Sequence, residues 1–465
     1  MIRMRFPLAI AAACLVLAAP PSAGQARRAA HRPHAARPRP SWIASSVLYE
    51  VNIRDFSPTG DFKGVMLDLD RIQAAGANVL WLMPINPVGV VNRKGTLGSP
   101  YASRDYRAIE PSFGTAADFR ALVRAVHARG MKIIIDWVPD HTSPDNVWVK
   151  SHPEYYVRAA SGAPSVPIDP QGKPTDWTDV VQLDFHKAVT RQAMIDVMRW
   201  WLRTYDLDGF RVDAAGFVPD VFWREAPAAL RRSVHRPILL LAEWAELKMH
   251  RFGFDLTYPW DSYGRLKDVW RGADASGWLR SEKAVMDSMP AGGMRMRFTT
   301  NHDETAWDKP PVILFGGSAG ARAAFVAEVL LPGRPLLYDG QEVESPQTLR
   351  LFEQDSVVWN QPDTTATRAF YRQVVTLTRT DPAFLGRDFA PLATSDSADV
   401  IAYRRGGAAV IVNTRAHDTR ITVSGFAVNG AHDLLSGAVV QGDTLALPAY
   451  GKLVLERTGD AGARP

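Results

Sequence analysis

Between residues 47 and 338 the chain alternates short aliphatic runs with longer stretches whose apolar residues recur at helical spacing. The runs at 47–53, 78–83, 132–137, 209–212, 238–242, 254–257, 296–300 and 335–338 are short and rich in Val, Ile, Leu and aromatics, and they read as strands. Residues 116–129, 188–205, 220–231 and 319–331 carry the helical pattern between them. Strands that alternate with helices predict a parallel sheet covered by helices. Eight such units over about 330 residues fit an α/β protein closed into a (β/α)₈ barrel. An open, doubly wound sheet would place a Gly-rich phosphate turn after its first strand, and none follows residues 47–53.

The alternation breaks twice. Residues 141–186 are rich in Pro, Gly, Ser and Asp, including Ser161-Gly-Ala-Pro and Pro170-Gln-Gly-Lys-Pro. A stretch this long inside a compact domain is usually functional, so a short excursion domain is expected after strand 3. It divides the barrel into 41–140 and 187–382. From 383 to 458 the pattern changes to short β-type runs at 400–403, 408–413, 420–423 and 452–455, separated by turn residues. That texture predicts a C-terminal antiparallel β-sandwich, with 459–465 as a tail.

Charge changes the picture only at the N-terminus. The net charge of +5 suggests a polyanionic partner, but seven arginines and no acid lie in residues 1–40; without them the chain carries −2. No electrostatic footprint for nucleic acid remains in the folded part. Arg3 and Arg5 followed by the apolar run 6–19 read as a secretory signal over 1–26, too short to span a bilayer comfortably. Residues 27–40 read as a disordered leader, and the expected location is periplasmic or secreted, with no membrane attachment once the signal is removed. Cys14 is the only cysteine, so the processed chain is expected to have no disulfide.

Active sites of (β/α)₈ barrels sit at the C-terminal ends of the strands, and there polar residues interrupt this sequence. Strand 3 ends in Asp136-Trp-Val-Pro-Asp-His141, strand 4 in Arg211-Val-Asp213, strand 5 in Glu243-Trp244 and strand 7 in Asn301-His302-Asp303. Any one Asp after a strand can be a helix cap; the convergence on one rim is what points to chemistry. Cleaving a glycosidic bond with retention needs one carboxylate as nucleophile and one carboxylic acid to protonate the leaving oxygen. Arg211, two residues before Asp213, is on the same strand face and favours the ionised nucleophile. Glu243, between Ala242 and Trp244, is in more apolar company that favours a protonated acid.

These four segments resemble the short conserved regions of the α-amylase family, glycoside hydrolase family 13, and the likeness extends from Val47 to Glu456. The resemblance implies Asp213 as nucleophile, Glu243 as general acid/base and Asp303 as the transition-state stabiliser that binds sugar hydroxyls. It further implies Arg211, His141, His302 and Asp136 as supporting residues around the sugar, and Tyr101, in Gly98-Ser-Pro-Tyr101, as a ring stacked on it. Trp244 joins the expected substrate contacts. The implied substrate is an α-glucan or maltooligosaccharide, cleaved at α-1,4 bonds; transglycosylation or isomerisation through the same intermediate is the alternative.

The sequence departs from the family in two places. Positions that usually ligate a structural calcium hold Asp140, Gln182 and Phe217, and a phenylalanine side chain cannot ligate a hard cation. That calcium site is expected to be absent or weak, with no other cofactor or metal required. Gly216-Phe217 also replaces a Lys-His pair near the leaving group, which favours short maltooligosaccharides or cyclodextrins over polymeric starch.

Overall fold

A computed structural model describes residues 42–457. The signal and leader read over 1–40 and the tail at 459–465 lie outside the described residues. Eight parallel strands close into a barrel: β1 (Leu48–Val51), β2 (Val79–Leu82), β3 (Lys132–Trp137), β4 (Gly209–Val212), β5 (Leu239–Ala242), β6 (Leu256–Thr257), β7 (Met294–Arg297) and β8 (Arg334–Tyr338). β8 closes the ring on β1, with Leu48 opposite Leu336 and Tyr49 opposite Leu337. The strands are buried on both faces, as a parallel sheet covered by helices requires.

Local chemistry fixes the elements. The helix Ala116–Ala128 starts in a capping box, in which Thr115 accepts from the Asp118 N–H while the Asp118 carboxylate accepts from Thr115. Gly209 opens β4 at φ +150°, and a Cβ there would fall 1.9 Å from the Leu239 carbonyl oxygen, so only glycine lets β4 lie against β5. That close approach sets the register that carries Arg211 and Asp213.

Two barrel strands match their predicted limits, the others differ at one or both ends, and β7 is displaced the furthest. β7 runs over Met294–Arg297 rather than 296–300, because Arg295 and Arg297 are buried in it. The Arg297 guanidinium lies 2.8 Å from Glu282 and 3.1 Å from Glu328, and Arg295 lies 2.8 Å from Asp261. Buried cations need such partners, and they belong to helices Trp260–Trp270, Ala275–Ser288 and Gly317–Val329. A reading by apolar alternation moves the strand away from its arginines.

Residues 141–186 leave the barrel after β3 as mostly irregular chain. A two-residue antiparallel ladder, His141 opposite Gln182 and Thr142 opposite Val181, closes the segment at its base. At the C-terminus, a five-stranded sheet (Ala390–Pro391, Val400–Arg405, Ala408–Asn413, Lys452–Glu456, His432–Asp433) faces a three-stranded one (Ala393–Thr394, Thr419–Ser424, Thr444–Leu447). Val400, Ala402 and Ile411 pack into the sandwich with Ile421, Leu445 and Leu447. The alternate residues Ile401, Tyr403, Val410 and Val412 join the barrel's own core. Arg405 staples the two together by donating to the carbonyls of Leu330, Phe384, Gly386 and Asp388. Among the described residues no helix is long and apolar enough to cross a membrane.

Candidate active site

The C-terminal ends of β3, β4, β5 and β7 bring the sequence-predicted carboxylates to one place, and a buried guanidinium organises them. Nη1 of Arg211 donates to both oxygens of Asp136 at 2.9 and 3.1 Å and to Oδ1 of Asp213 at 2.9 Å. Nη2 lies 3.0 Å from Oε1 of Glu243, and Nε donates to the Tyr258 hydroxyl at 3.2 Å. The guanidinium carbon sits 5.4–5.7 Å from the ring centroids of Trp81, Tyr101 and Tyr258. These rings shield it from water and strengthen each of its ionic contacts.

The groups differ in access. Asp136 is sealed beneath the site, whereas the side chains of Asp213, Glu243 and Asp303 are 12%, 15% and 30% exposed. Asp213 and Glu243 are the first residues after β4 and β5. The backbone N–H of Ala214 donates to Oε2 of Glu243 at 2.8 Å, so the turn leaving β4 also positions the acid of β5. Ala214 has φ +42°, an unusual conformation for a residue with a Cβ. Burial pushes the Glu243 carboxyl up to about 8, against the opposing pull of Arg211, with the charges of Asp213 and Asp303 adding to the rise. Burial also raises Asp136, again opposed by Arg211.

Asp303 comes from the short helix His302–Trp307, capped by Asn301, whose side chain accepts from the Glu304 N–H at 2.9 Å. His302 is fixed on both sides. Its Nδ1 faces Oε1 of Glu50 at 2.5 Å, and its Nε2 lies 2.7 Å from the Tyr101 hydroxyl and 3.4 Å from Asp303. When Tyr101 gives its proton to Asp136 at 3.0 Å, Nε2 donates to the tyrosine oxygen, and with Nδ1 facing Glu50 both ring nitrogens then carry protons. Burial works against an imidazolium here, but Asp303 and Glu50 outweigh it and raise the group to about 9.

His141 takes a 3.3 Å contact from Nδ1 to Asp140, and its ring meets the edge of Trp177 at 5.5 Å. Burial lowers its basicity, yet the bond to Asp140 and that residue's charge leave it raised. Trp177 stacks on Phe217 at 5.2 Å and 19°, and Phe217 meets Trp244 edge-on at 6.3 Å. A ledge of three half-buried rings therefore runs beside Glu243. Gly216 makes room for it, since a Cβ there would fall 2.0 Å from the Trp244 ring.

A loop joins the two sides of the mouth. The Asn92 side chain donates to the Thr178 carbonyl, and Lys94 pairs with Asp179 at 2.9 Å in the excursion. The next residues bind the β8 loop: the Thr96 N–H donates to Glu353, and the Leu97 N–H to the Phe352 carbonyl.

The positions of the usual family calcium do not form an oxygen cage. The Gln182 amide donates to Asp140 Oδ1 at 3.3 Å, Asp140 Oδ2 faces His141, and the Phe217 ring is stacked on Trp177. Sequence reasoning missed Glu50, Tyr258 and the Ala214 N–H. Glu50 left a signal, as the only acid inside the first strand run; Tyr258 and a backbone donor left none.

A sequence profile of the alpha-amylase catalytic domain matches residues 48–179. The chain is 28% identical over 431 residues to the alpha-amylase MalA of Haloarcula japonica, covering 88% of this chain and 60% of that one. It thus spans about three fifths of the length of this relative and of the alpha-amylase 3 of Dictyoglomus thermophilum. An alpha-amylase from Lactobacillus plantarum superposes with a TM-score of 0.79 at 30% identity, covering 90% of this chain and all of that structure. The maltogenic alpha-amylase AmyB of Thermotoga neapolitana superposes with the same score at 28% identity, covering 90% and 99%.

The packing at Gly216 gives a direct test. Gly216→Ala is expected to push Trp244 out of place, lowering stability by about 1–3 kcal/mol. A thermal melt of the variant, with no shift from the parent as the contrary result, checks it.

Proposed function

The chain belongs to the α-amylase family, and on that premise we propose that it is a retaining glycoside hydrolase cleaving α-1,4-glucosidic bonds in maltooligosaccharides, cyclodextrins or starch. The observation that carries this reading is the shared guanidinium. Asp213 and Glu243 both lie on Arg211, one on Nη1 and one on Nη2, which keeps the two carboxyl groups close. Retention works with a separation of about 5–5.5 Å, and inversion needs room for a water between them.

The roles are those the family resemblance implies, and the geometry supports them. Asp213, oriented through its Oδ1, attacks the anomeric carbon while Glu243 gives its proton to the departing glycosidic oxygen. The carbon–oxygen bond breaks and a glycosyl ester forms. Glu243, now a carboxylate, takes a proton from water, and that water releases the sugar from Asp213. Asp303 is the most exposed of the carboxylates and suits the sugar's hydroxyls and the positive charge of the oxocarbenium-like state, while the buried His302 holds it from 3.4 Å. Tyr101, with its hydroxyl fixed by Asp136 and His302, presents a ring to a sugar face.

One observation favours a second outcome. The ledge of Trp177, Phe217 and Trp244 lies beside the acid, on the leaving-group side, and can hold a sugar there after bond cleavage. Transfer to that sugar then competes with water. Export to the periplasm or the exterior and freedom from structural calcium belong to the same proposal; the second rests on the spent donors of Asp140 and Gln182.

A timed product profile on maltoheptaose tests the reaction: glucose and maltose are expected, and longer chains at high substrate concentration mark transfer. An intact substrate would overturn the hydrolytic reading. The pH profile tests the acid. A carboxyl raised to about 8 is protonated at neutral pH and loses its proton as pH rises through that value, so kcat/KM falls on the alkaline side. Glu243→Gln is expected to lower kcat/KM on maltooligosaccharides by about 10²–10⁴-fold and to cost far less on α-maltosyl fluoride, whose leaving group needs no proton. An equal loss on both substrates would reassign the acid. Exhaustive chelation is expected to move Tm by less than about 1 °C; a larger drop reversed by added calcium contradicts the calcium-free reading.

A further inference from the structure

Trp307 is the most exposed tryptophan among the large apolar residues on the described surface, at 64%. It ends the helix that carries Asp303, four residues on, so both side chains project from one face of the same short helix. Its ring meets Phe352 edge-on at 5.5 Å. Phe352 and Ala306 in turn pack on a small apolar cluster that includes Tyr101 and Leu351. An apolar strip therefore runs unbroken from Tyr101, beside the carboxylates, through Leu351 and Phe352 to Trp307 at the rim.

The strip is rigid at both ends. Lys267 clamps the helix by donating to Glu304 at 3.1 Å and to Asp308 at 2.9 Å, on either side of Trp307 in sequence. Phe352 is held by the Leu97 N–H on its carbonyl, and a Cβ on Gly95 would fall 2.6 Å from the Phe352 Cβ. A large ring kept exposed on a fixed backbone gives up its own burial, and it binds a partner with little further ordering cost.

Barrel order gives the direction. Trp177, Phe217 and Trp244 follow β3, β4 and β5, on the side of the acid. Trp307 and Phe352 follow β7 and β8, on the opposite arc. We infer that Trp307 and Phe352 form a second sugar-binding platform, which takes the far glucose units of an α-glucan on the glycone side of the cleft. The inference rests on the proposed action on α-glucans. A chain spanning both ledges crosses the carboxylates, so occupancy of the distal platform selects longer substrates. A chain too short to reach Trp307 gains nothing from it.

Calorimetric binding to the Asp213→Asn protein reads the platform without turnover. The Asp213→Asn protein is expected to bind maltoheptaose, and adding Trp307→Ala is expected to weaken that binding about tenfold while changing maltotriose affinity less than about twofold. Trp307→Phe is expected to retain most of the maltoheptaose affinity. Equal loss for both sugars, no loss for either, or no maltoheptaose binding by Asp213→Asn overturns the platform. A melt at the parent's temperature shows that the exposed substitution leaves the fold intact. If the parent chain leaves maltoheptaose uncut while Trp307→Ala still weakens its binding, the platform stands and the hydrolytic reading falls.

Discussion

Everything at the mouth of this barrel is arranged around one guanidinium that is closed off from bulk solvent. Arg211 is fully buried, and a buried cation is tolerated only where its donors are met by charges and hydrogen bonds. Asp136 takes two of those bonds from below; Asp213 and Glu243 sit at the other edges, and Tyr258 accepts at Nε. Satisfying Arg211 therefore fixes the relative placement of two reacting groups that belong to different strands. The demand is local and electrostatic, yet Asp213 and Glu243 meet on Arg211 only because Gly209 lets β4 lie against β5.

The same crowding distributes the protons. Asp136, Asp213, Glu243, Asp303 and Glu50 surround two cations, Arg211 and the doubly donating His302. Carboxylates in excess of cations in a dry site cannot all stay charged, and the proton settles where burial is least compensated. Glu243 is that group, with one backbone N–H and a shared guanidinium edge against the charges of Asp213 and Asp303. Asp136 has the closer grip on Arg211 but less access to solvent, so it serves as a foundation, while the more exposed carboxylates face the cleft.

Much of this was legible in the sequence because apolar periodicity and polar interruptions coincide in a barrel. β3 and β4 lie at their predicted limits, and the interruptions at Asp136, Arg211, Asp213, Glu243, His302 and Asp303 all converge on one end of the barrel, with Asp136 and Arg211 beneath the more exposed carboxylates. What failed to show were features whose cause lies elsewhere in the chain. β7 starts two and ends three residues before its predicted limits, because Arg295 and Arg297 look exposed until Asp261, Glu282 and Glu328 are brought beside them. Asp303 was read as a strand end, yet it sits six residues past β7 on its own capped helix. Tyr258 and the Ala214 N–H act through geometry alone, and Trp307 reads as an ordinary helical residue until its exposure is known.

The loop at residues 92–97 carries a consequence for how this cleft changes over evolutionary time. It is fastened to Thr178 and Asp179 at one end and to Phe352 and Glu353 at the other. A single insertion or deletion there shifts the aromatic ledge beside the acid and the backbone under Phe352 together. The two flanks of the cleft therefore cannot drift independently, and the excursion is not an exchangeable module by itself. A chimera that grafts the excursion of a relative must bring its own version of this loop, or the opposite wall will move with it.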